Sequence, residues 1–176
     1  MELLKTLPLA ESGPGLQCLN GVRVLDFTTS VAGPYGTLLL ADLGAEVIKV
    51  EKRKGGDDAR SWGPPFLDGE SLWFLSMNRN KQSMTLDLAH PDASHLVHEL
   101  VRVADVVVLN STQRIQTKLG LDYATLKQIN AKLIHVSVTG FGLSGSRADL
   151  PCYDLIAEGY SGVMDLTGEA DGPPQK

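Results

Sequence analysis

Residues 21–52 read GVRVLDFTTSVAGPYGTLLLADLGAEVIKVEK, and this stretch decides the fold. Val22, Val24 and Leu25 run as a strand into Asp26-Phe27. A polar turn, Thr28-Thr29-Ser30, leads to Ala32-Gly33-Pro34 and then to an apolar helical run, Leu38 to Ala41, that stops at Gly44. Val47-Ile48-Lys49-Val50 opens a second strand. Strand, helix and strand at this spacing form one βαβ unit, the building block of parallel sheets. Ligands of open parallel sheets sit beyond the carboxyl ends of the strands. Thr28 to Tyr35 occupy that end. Pro34 suits the first helical position, where its missing N–H is no loss. Gly33 leaves room for close approach to the backbone. The first N–H groups of the helix lack internal partners and favour an anion or a carbonyl oxygen. Taken alone, the turn reads first as a Ser-capped helix start with a close strand–helix contact, and only second as a ligand site. It is not GxGxxG, which argues against a nicotinamide cofactor.

Working outward, Glu51 to Arg60 carries the consecutive cations Lys52-Arg53-Lys54 on the same sheet edge as the turn. Such a run is ordinarily a solvated charged face, although phosphates are its natural ligands. Trp62 to Asp68 is irregular, Ser71 to Met77 is a short apolar helix turn or strand, and Ser83 to Leu88 is a strand. Pro91 to Ala104 is a helix with Pro91 near its first position and Asp92 in its first turn; Leu96, Val97, Leu100, Val101 and Val103 form its apolar face. Asp105 to Leu109 is a buried parallel strand that ends at Asn110 on the ligand-side edge. Gln113 to Leu119 is helical, Asp122 caps a helix over 123–130, and Leu133 to Val138 is a strand. Ser144 to Pro151 is loop, and Tyr153 to Thr167 is a helix weakened by Gly159 and Gly162. The alternation predicts an α/β, Rossmann-like doubly wound fold: a mainly parallel sheet flanked by helices. Residues 1–18 are expected to be a flexible N-terminal arm. The final residues are polar and turn-like, so the fold reads as interrupted at Lys176.

The 176 residues suffice for one domain with a sizeable core. Apolar residues make up 43% and charged residues 21%, as in a soluble globular protein. A net charge of −5 disfavours binding to nucleic acid or an anionic membrane. Cys18 and Cys152 are far apart and belong to no C-x-x-C pair, which fits a reduced, cytoplasmic setting. No apolar stretch approaches a membrane span. His95, His98 and Glu99 suggest HExxH, but Arg102 stands where the second histidine belongs, so no metal is expected. His135 reads as a satisfied strand histidine. Neither GxSxG nor GxxxxGK[ST] occurs.

The ordered segments Leu19-Asn20-Gly21-Val22-Arg23-Val24-Leu25-Asp26, Ala32-Gly33-Pro34, Leu43 to Glu51, Gly56-Asp57, Asn78 to Ser83, Ala104-Asp105-Val106, Leu119-Gly120-Leu121, Ser137 to Gly142, Tyr153-Asp154 and Ser161-Gly162 are specific together. In them the chain resembles the N-terminal part of the family III CoA-transferases, the CaiB/BaiF group. The resemblance spans roughly residues 19–174, and it implies that 19–176 are the N-terminal part of a CoA-transferase large domain.

The resemblance also implies a CoA site. Ser30, Val31 and Ala32 would lie by the thioester, and Lys52 or Arg53 by the nucleotide phosphates. Leu86, Asn110 and Lys118 would make further CoA contacts, with Tyr153 and Asp154 on the substrate side. Acyl-CoA and a small carboxylic acid are the implied substrates, and an interlocked homodimer the implied full-length assembly. In such enzymes an aspartate takes CoA as an enzyme thioester and passes it on. That aspartate follows a turn that here would begin near Gly172-Pro173-Pro174, so it is expected beyond Lys176, and no catalytic residue is assigned. Asp165 precedes the turn and reads as a helix-end aspartate. The sequence departs from the family at Leu109 to Arg114 and at Cys152. Racemases of the same fold use a histidine where Tyr153 stands, and a tyrosine with a pKa near 10 is a poor base at neutral pH. A racemase-like enzyme and a non-catalytic CoA-binding module are the alternatives to a transferase.

Overall fold

The computed structural model describes residue 15 and residues 17–176. The expected N-terminal arm lies almost wholly outside the described residues. The first unit is strand β1 (Arg23–Asp26), helix α1 (Ala32–Asp42) and strand β2 (Glu46–Glu51). A 3-10 turn at Asp58–Ser61 leads to a small hairpin, β3 (Phe66–Leu67) with β4 (Glu70–Ser71), and to helix α2 (Leu72–Asn78). Strand β5 (Lys81–Thr85), helix α3 (Ala93–Arg102) and strand β6 (Val106–Leu109) follow. Helices α4 (Gln113–Lys118) and α5 (Tyr123–Ile129), strand β7 (Ile134–Ser137) and helix α6 (Asp154–Ser161) complete the order, with a 3-10 turn at Val163–Asp165.

The main sheet has the order β5-β2-β1-β6-β7, and every pairing in it is parallel. This is the expected α/β doubly wound architecture. Successive β1 residues feed opposite faces, as strand geometry requires. Leu25 packs with Val97 and Val101 of α3, Leu126 of α5, and Val107 and Leu109 of β6. Val24 packs on the other face with Ala41 of α1, Val47 and Val108. The chain leaves β1 towards β2 and later returns to its other side as β6. The strand order therefore reverses between β1 and β6, and their carboxyl ends frame the crevice where such sheets bind ligands.

Several boundaries differ from the sequence reading. The helix of the first unit begins at Ala32, so Pro34 is its third residue. Its N-cap is Val31, with no capping side chain among the described residues, and Ser30 has φ +71°. The Ser-capped start is thereby corrected. The strand expected at 83–88 sits two residues earlier and is mostly exposed, because it is a sheet edge. The irregular 62–68 segment contributes β3. Pro91 and Asp92 precede α3 rather than lying inside it, with Asp92 as N-cap. The helix expected over 153–167 ends at Gly162, whose φ of +82° is the left-handed stop that glycine allows. Asp122 caps α5 as read, accepting the Thr125 N–H. His135 Nε2 lies 2.9 Å from the Leu121 carbonyl, a satisfied strand histidine. His95 and His98 lie on α3. Among the described residues no helix is long and apolar enough to cross a membrane.

Candidate functional site: a pinned turn above a buried ionic network

Strand β1 delivers Asp26 to the carboxyl edge of the sheet, completely buried. A carboxylate there is tolerable only if partners replace its water. One oxygen accepts the Thr28 N–H at 2.9 Å, and the other accepts the Thr37 hydroxyl at 2.6 Å and the Lys81 ammonium at 3.0 Å. Lys81 also donates to the Pro34 carbonyl at 2.8 Å and the Asn78 side chain at 2.9 Å. Burial alone would push the Asp26 carboxyl upwards. The Lys49 and Lys81 charges, with the Thr28 and Thr37 hydroxyls, bring it below the ordinary carboxylate range. For Lys81 burial wins, and its pKa lies below the ordinary 10.5 despite Asp26.

A second ion pair lies next to the first. Lys49 Nζ is 2.8 Å from the Asp57 carboxylate, with both side chains essentially inaccessible. Lys49 also donates to the Thr28 carbonyl at 2.8 Å. Asp57 accepts the Ser30 N–H at 2.9 Å and the Ala59 N–H at 3.0 Å. From the other side of the crevice, Asn110 at the end of β6 accepts the Thr29 N–H at 3.1 Å and donates to the Thr29 carbonyl at 2.8 Å. The turn from Thr28 to Ser30 is thus fixed by side chains from three strand ends and one loop. Among the described residues the N–H groups of Val31, Ala32 and Gly33 have no partner. They are the first N–H groups of α1, where a carbonyl oxygen or oxyanion is favoured.

The basic loop is anchored by Glu51. Its carboxylate receives the Arg60 guanidinium through two bonds of 2.7 Å, the Ser83 hydroxyl at 2.6 Å and the Asp57 N–H at 2.8 Å. Burial works against ionisation, but these donors hold the group down to about 2, from an ordinary 4.5. A folded pKa below the unfolded one gives stability that is complete above pH 4.5 and is lost as pH falls towards 2. The difference amounts to roughly 3 kcal/mol. Thermal unfolding followed by circular dichroism between pH 6 and pH 3 is expected to show a steep acid loss. Glu51→Gln is expected to start less stable and to flatten that slope. An unchanged slope would show that Glu51 is not responsible.

A cavity of about 330 Å³ opens beside the turn at this sheet edge. It brings together Thr28, Thr29, Lys52, Arg53 and Leu86, with Leu119 at its wall. Of the sequence candidates, Lys52, Arg53 and Leu86 line it, and Lys118 precedes Leu119 at the end of α4. Lys52 contacts Asp58, and Arg53 is exposed. Asn110 adjoins the cavity through Thr29, with both ends of its amide on that backbone. Tyr153 and Asp154 do not line it: Tyr153 is 71% exposed, and Asp154 lies 3.4 Å from Lys176 Nζ. A larger cleft of about 520 Å³, lined by Gly21, Arg23, Glu46 and Asp105, lies at the amino ends of the strands, the wrong edge for this fold's chemistry. The sequence reading missed Asp26, Lys49, Asp57 and Lys81 as site residues. All four lie in the family segments quoted above, but no site role was assigned to them.

Comparison with known proteins gives this edge its context. Residues 19–176 match CoA-transferase family III, and the chain belongs to that family. The succinate–glutarate CoA-transferase of Agrobacterium fabrum is 49% identical over 164 residues, which cover 90% of this chain and 41% of that protein. The human succinyl-CoA:glutarate CoA-transferase is 43% identical over 156 residues, 89% of this chain and 36% of that one. The acetyl-CoA:oxalate CoA-transferase of Acetobacter aceti is 40% identical over 174 residues, covering 99% and 43%. Among solved structures, a CaiB/BaiF family protein from Brucella suis superposes with a TM-score of 0.84 at 46% identity, over 90% of this chain and 43% of that one. The chain therefore spans well under half the length of these relatives.

Proposed function

We propose that this chain supplies the CoA-binding part of a CoA-transferase that moves CoA between an acyl-CoA and a small carboxylic acid through an aspartyl-CoA thioester. The observation that carries the reading is the pinned turn with unpartnered Val31 and Ala32 N–H groups, placed beside a cavity rimmed by Lys52 and Arg53. The N–H groups suit a thioester oxygen as charge develops on it. The cations suit the phosphates of CoA. Lys118 and Asn110 complete the proposed contacts, with Tyr153 and Asp154 on the acid's side. The named relatives act on dicarboxylates, and a short dicarboxylate is the acceptor we assign.

We propose that the attacking carboxylate is not among residues 1–176. Asp26 and Asp57 lie nearest the turn, but both are buried and ion-paired, out of reach of a thioester. Asp165 lies in the 3-10 turn after α6. We further propose a homodimer for the longer form. The exposed apolar side chains of Leu155, Ile156, Tyr160 and Leu166 are consistent with a surface that more protein covers.

Titration calorimetry of the chain with CoA tests the binding part. Saturable binding is expected, about tenfold weaker (~1.4 kcal/mol) in Lys52→Ala/Arg53→Ala and weaker at high salt. Absence of binding would overturn the reading. Transfer from succinyl-CoA to glutarate, assayed with the chain alone, tests the placement of the nucleophile. No turnover is expected, and clear turnover would refute that placement.

A further inference from the structure

The basic loop and the turn meet in one side chain. Asp57 follows the cation run Lys52-Arg53-Lys54 and is buried. One carboxylate oxygen accepts the Ser30 N–H at 2.9 Å, and the other is 2.8 Å from Lys49 Nζ. Lys49 in turn donates to the Thr28 carbonyl at 2.8 Å. A single ion pair therefore grips the backbone on both sides of Thr29. It draws the Thr28 carbonyl and the Ser30 N–H inwards, and Ser30 is held at φ +71°, a conformation a serine rarely adopts unaided. With these two groups engaged, the next donors along the chain are the unpartnered N–H groups of Val31 and Ala32. Asp57 is itself located from below, because its own N–H donates to Glu51 at 2.8 Å.

We propose that Asp57 is a positioning residue: it ties the turn to the basic loop so that Val31 and Ala32, and not Ser30, present their N–H groups to the thioester of acyl-CoA. This rests on the CoA-site reading above. The role requires a carboxylate. An asparagine of the same shape must point its NH₂ at either the Ser30 N–H or the Lys49 ammonium, so one grip is lost while the Glu51–Arg60 anchor of the basic loop remains.

The test compares two ligands by calorimetry on the 176-residue chain: acetyl-CoA, and 3′-phosphoadenosine 5′-diphosphate, the nucleotide end of CoA without the thiol arm. Asp57→Asn is expected to weaken acetyl-CoA at least tenfold and to leave the nucleotide within about twofold. A merely structural role would weaken both alike. Because this variant leaves Lys49 buried without its partner and could fail to fold, a second measurement uses the wild-type protein. In ¹H–¹⁵N spectra, acetyl-CoA is expected to shift the Val31 and Ala32 amides and to leave the Ser30 amide in place. If the wild type binds neither ligand, the CoA reading falls and the positioning role falls with it. If it binds both, but Asp57→Asn loses both equally or neither, or the Ser30 amide moves most, only the positioning role is overturned.

Discussion

Asp26→Ala is expected to cost this chain about 3–5 kcal/mol, much of what a domain of this size has in reserve. The reason is the number of groups left behind rather than the one removed. Asp26 satisfies Thr28, Thr37 and Lys81 in a place that water does not reach. With the carboxylate gone, the Lys81 ammonium retains the Pro34 carbonyl and the Asn78 side chain but loses the carboxylate it is paired with. A buried pair is modest in net value, yet breaking it from one side exposes the full desolvation cost of the survivor. Asp26→Asn keeps the shape and part of the hydrogen bonding, and is expected to cost less. Urea unfolding of both variants measures the difference; a loss under 1 kcal/mol for the alanine variant would mean that water enters beneath the turn.

The second large effect is steric. A Cβ on Gly33 would stand 2.4 Å from Thr28 Cβ and 2.5 Å from Thr28 Cγ2. Thr28 has no room to retreat, since its N–H is bound to Asp26 and its carbonyl to Lys49. Gly33→Ala is therefore expected to push the turn off its anchors, at a cost of about 2–3 kcal/mol and with loss of CoA binding. Gly36, one turn further along α1, has nothing within 4 Å of its would-be Cβ. Gly36→Ala is expected to stabilise the chain by ~0.5–1 kcal/mol through helix propensity and to leave binding unchanged. The pair separates space from propensity within a single helix. Equal melting temperatures for the two variants would refute the contact at Thr28.

The contrast between these glycines shows how far the sequence could be read. The βαβ unit was legible because β-branched and apolar residues mark both strands and Gly44 stops the helix between them. The Asp122 cap was legible because capping is local. Lys49 and Lys81 were not. Lys49, between Ile48 and Val50, and Lys81, between Asn80 and Gln82, give no local sign of burial, and only the docking of the 52–60 loop brings Asp57 against Lys49. Ser30 misled for a related reason: serine before a helix is commonly a cap, but here a contact from 27 positions away sets its backbone. Lys52, Arg53 and Leu86 were named from the family pattern, and the fold brings them to one cavity. Whether they hold CoA is the proposal under test. Tyr153 and Asp154 were named in the same way and lie apart from that cavity, on the exposed α6 start.

The burial of the two lysines has a further chemical consequence. Acyl thioesters acylate free amines, and the product amide does not pass the acyl group on. Burial lowers the pKa of Lys81 from its ordinary value, although Asp26 opposes the shift. Lys81 is protected by inaccessibility, its side chain being 2% exposed, and Lys49 likewise at 1%. If the proposed CoA site is right, the floor of the turn keeps both amines away from the acyl thioester.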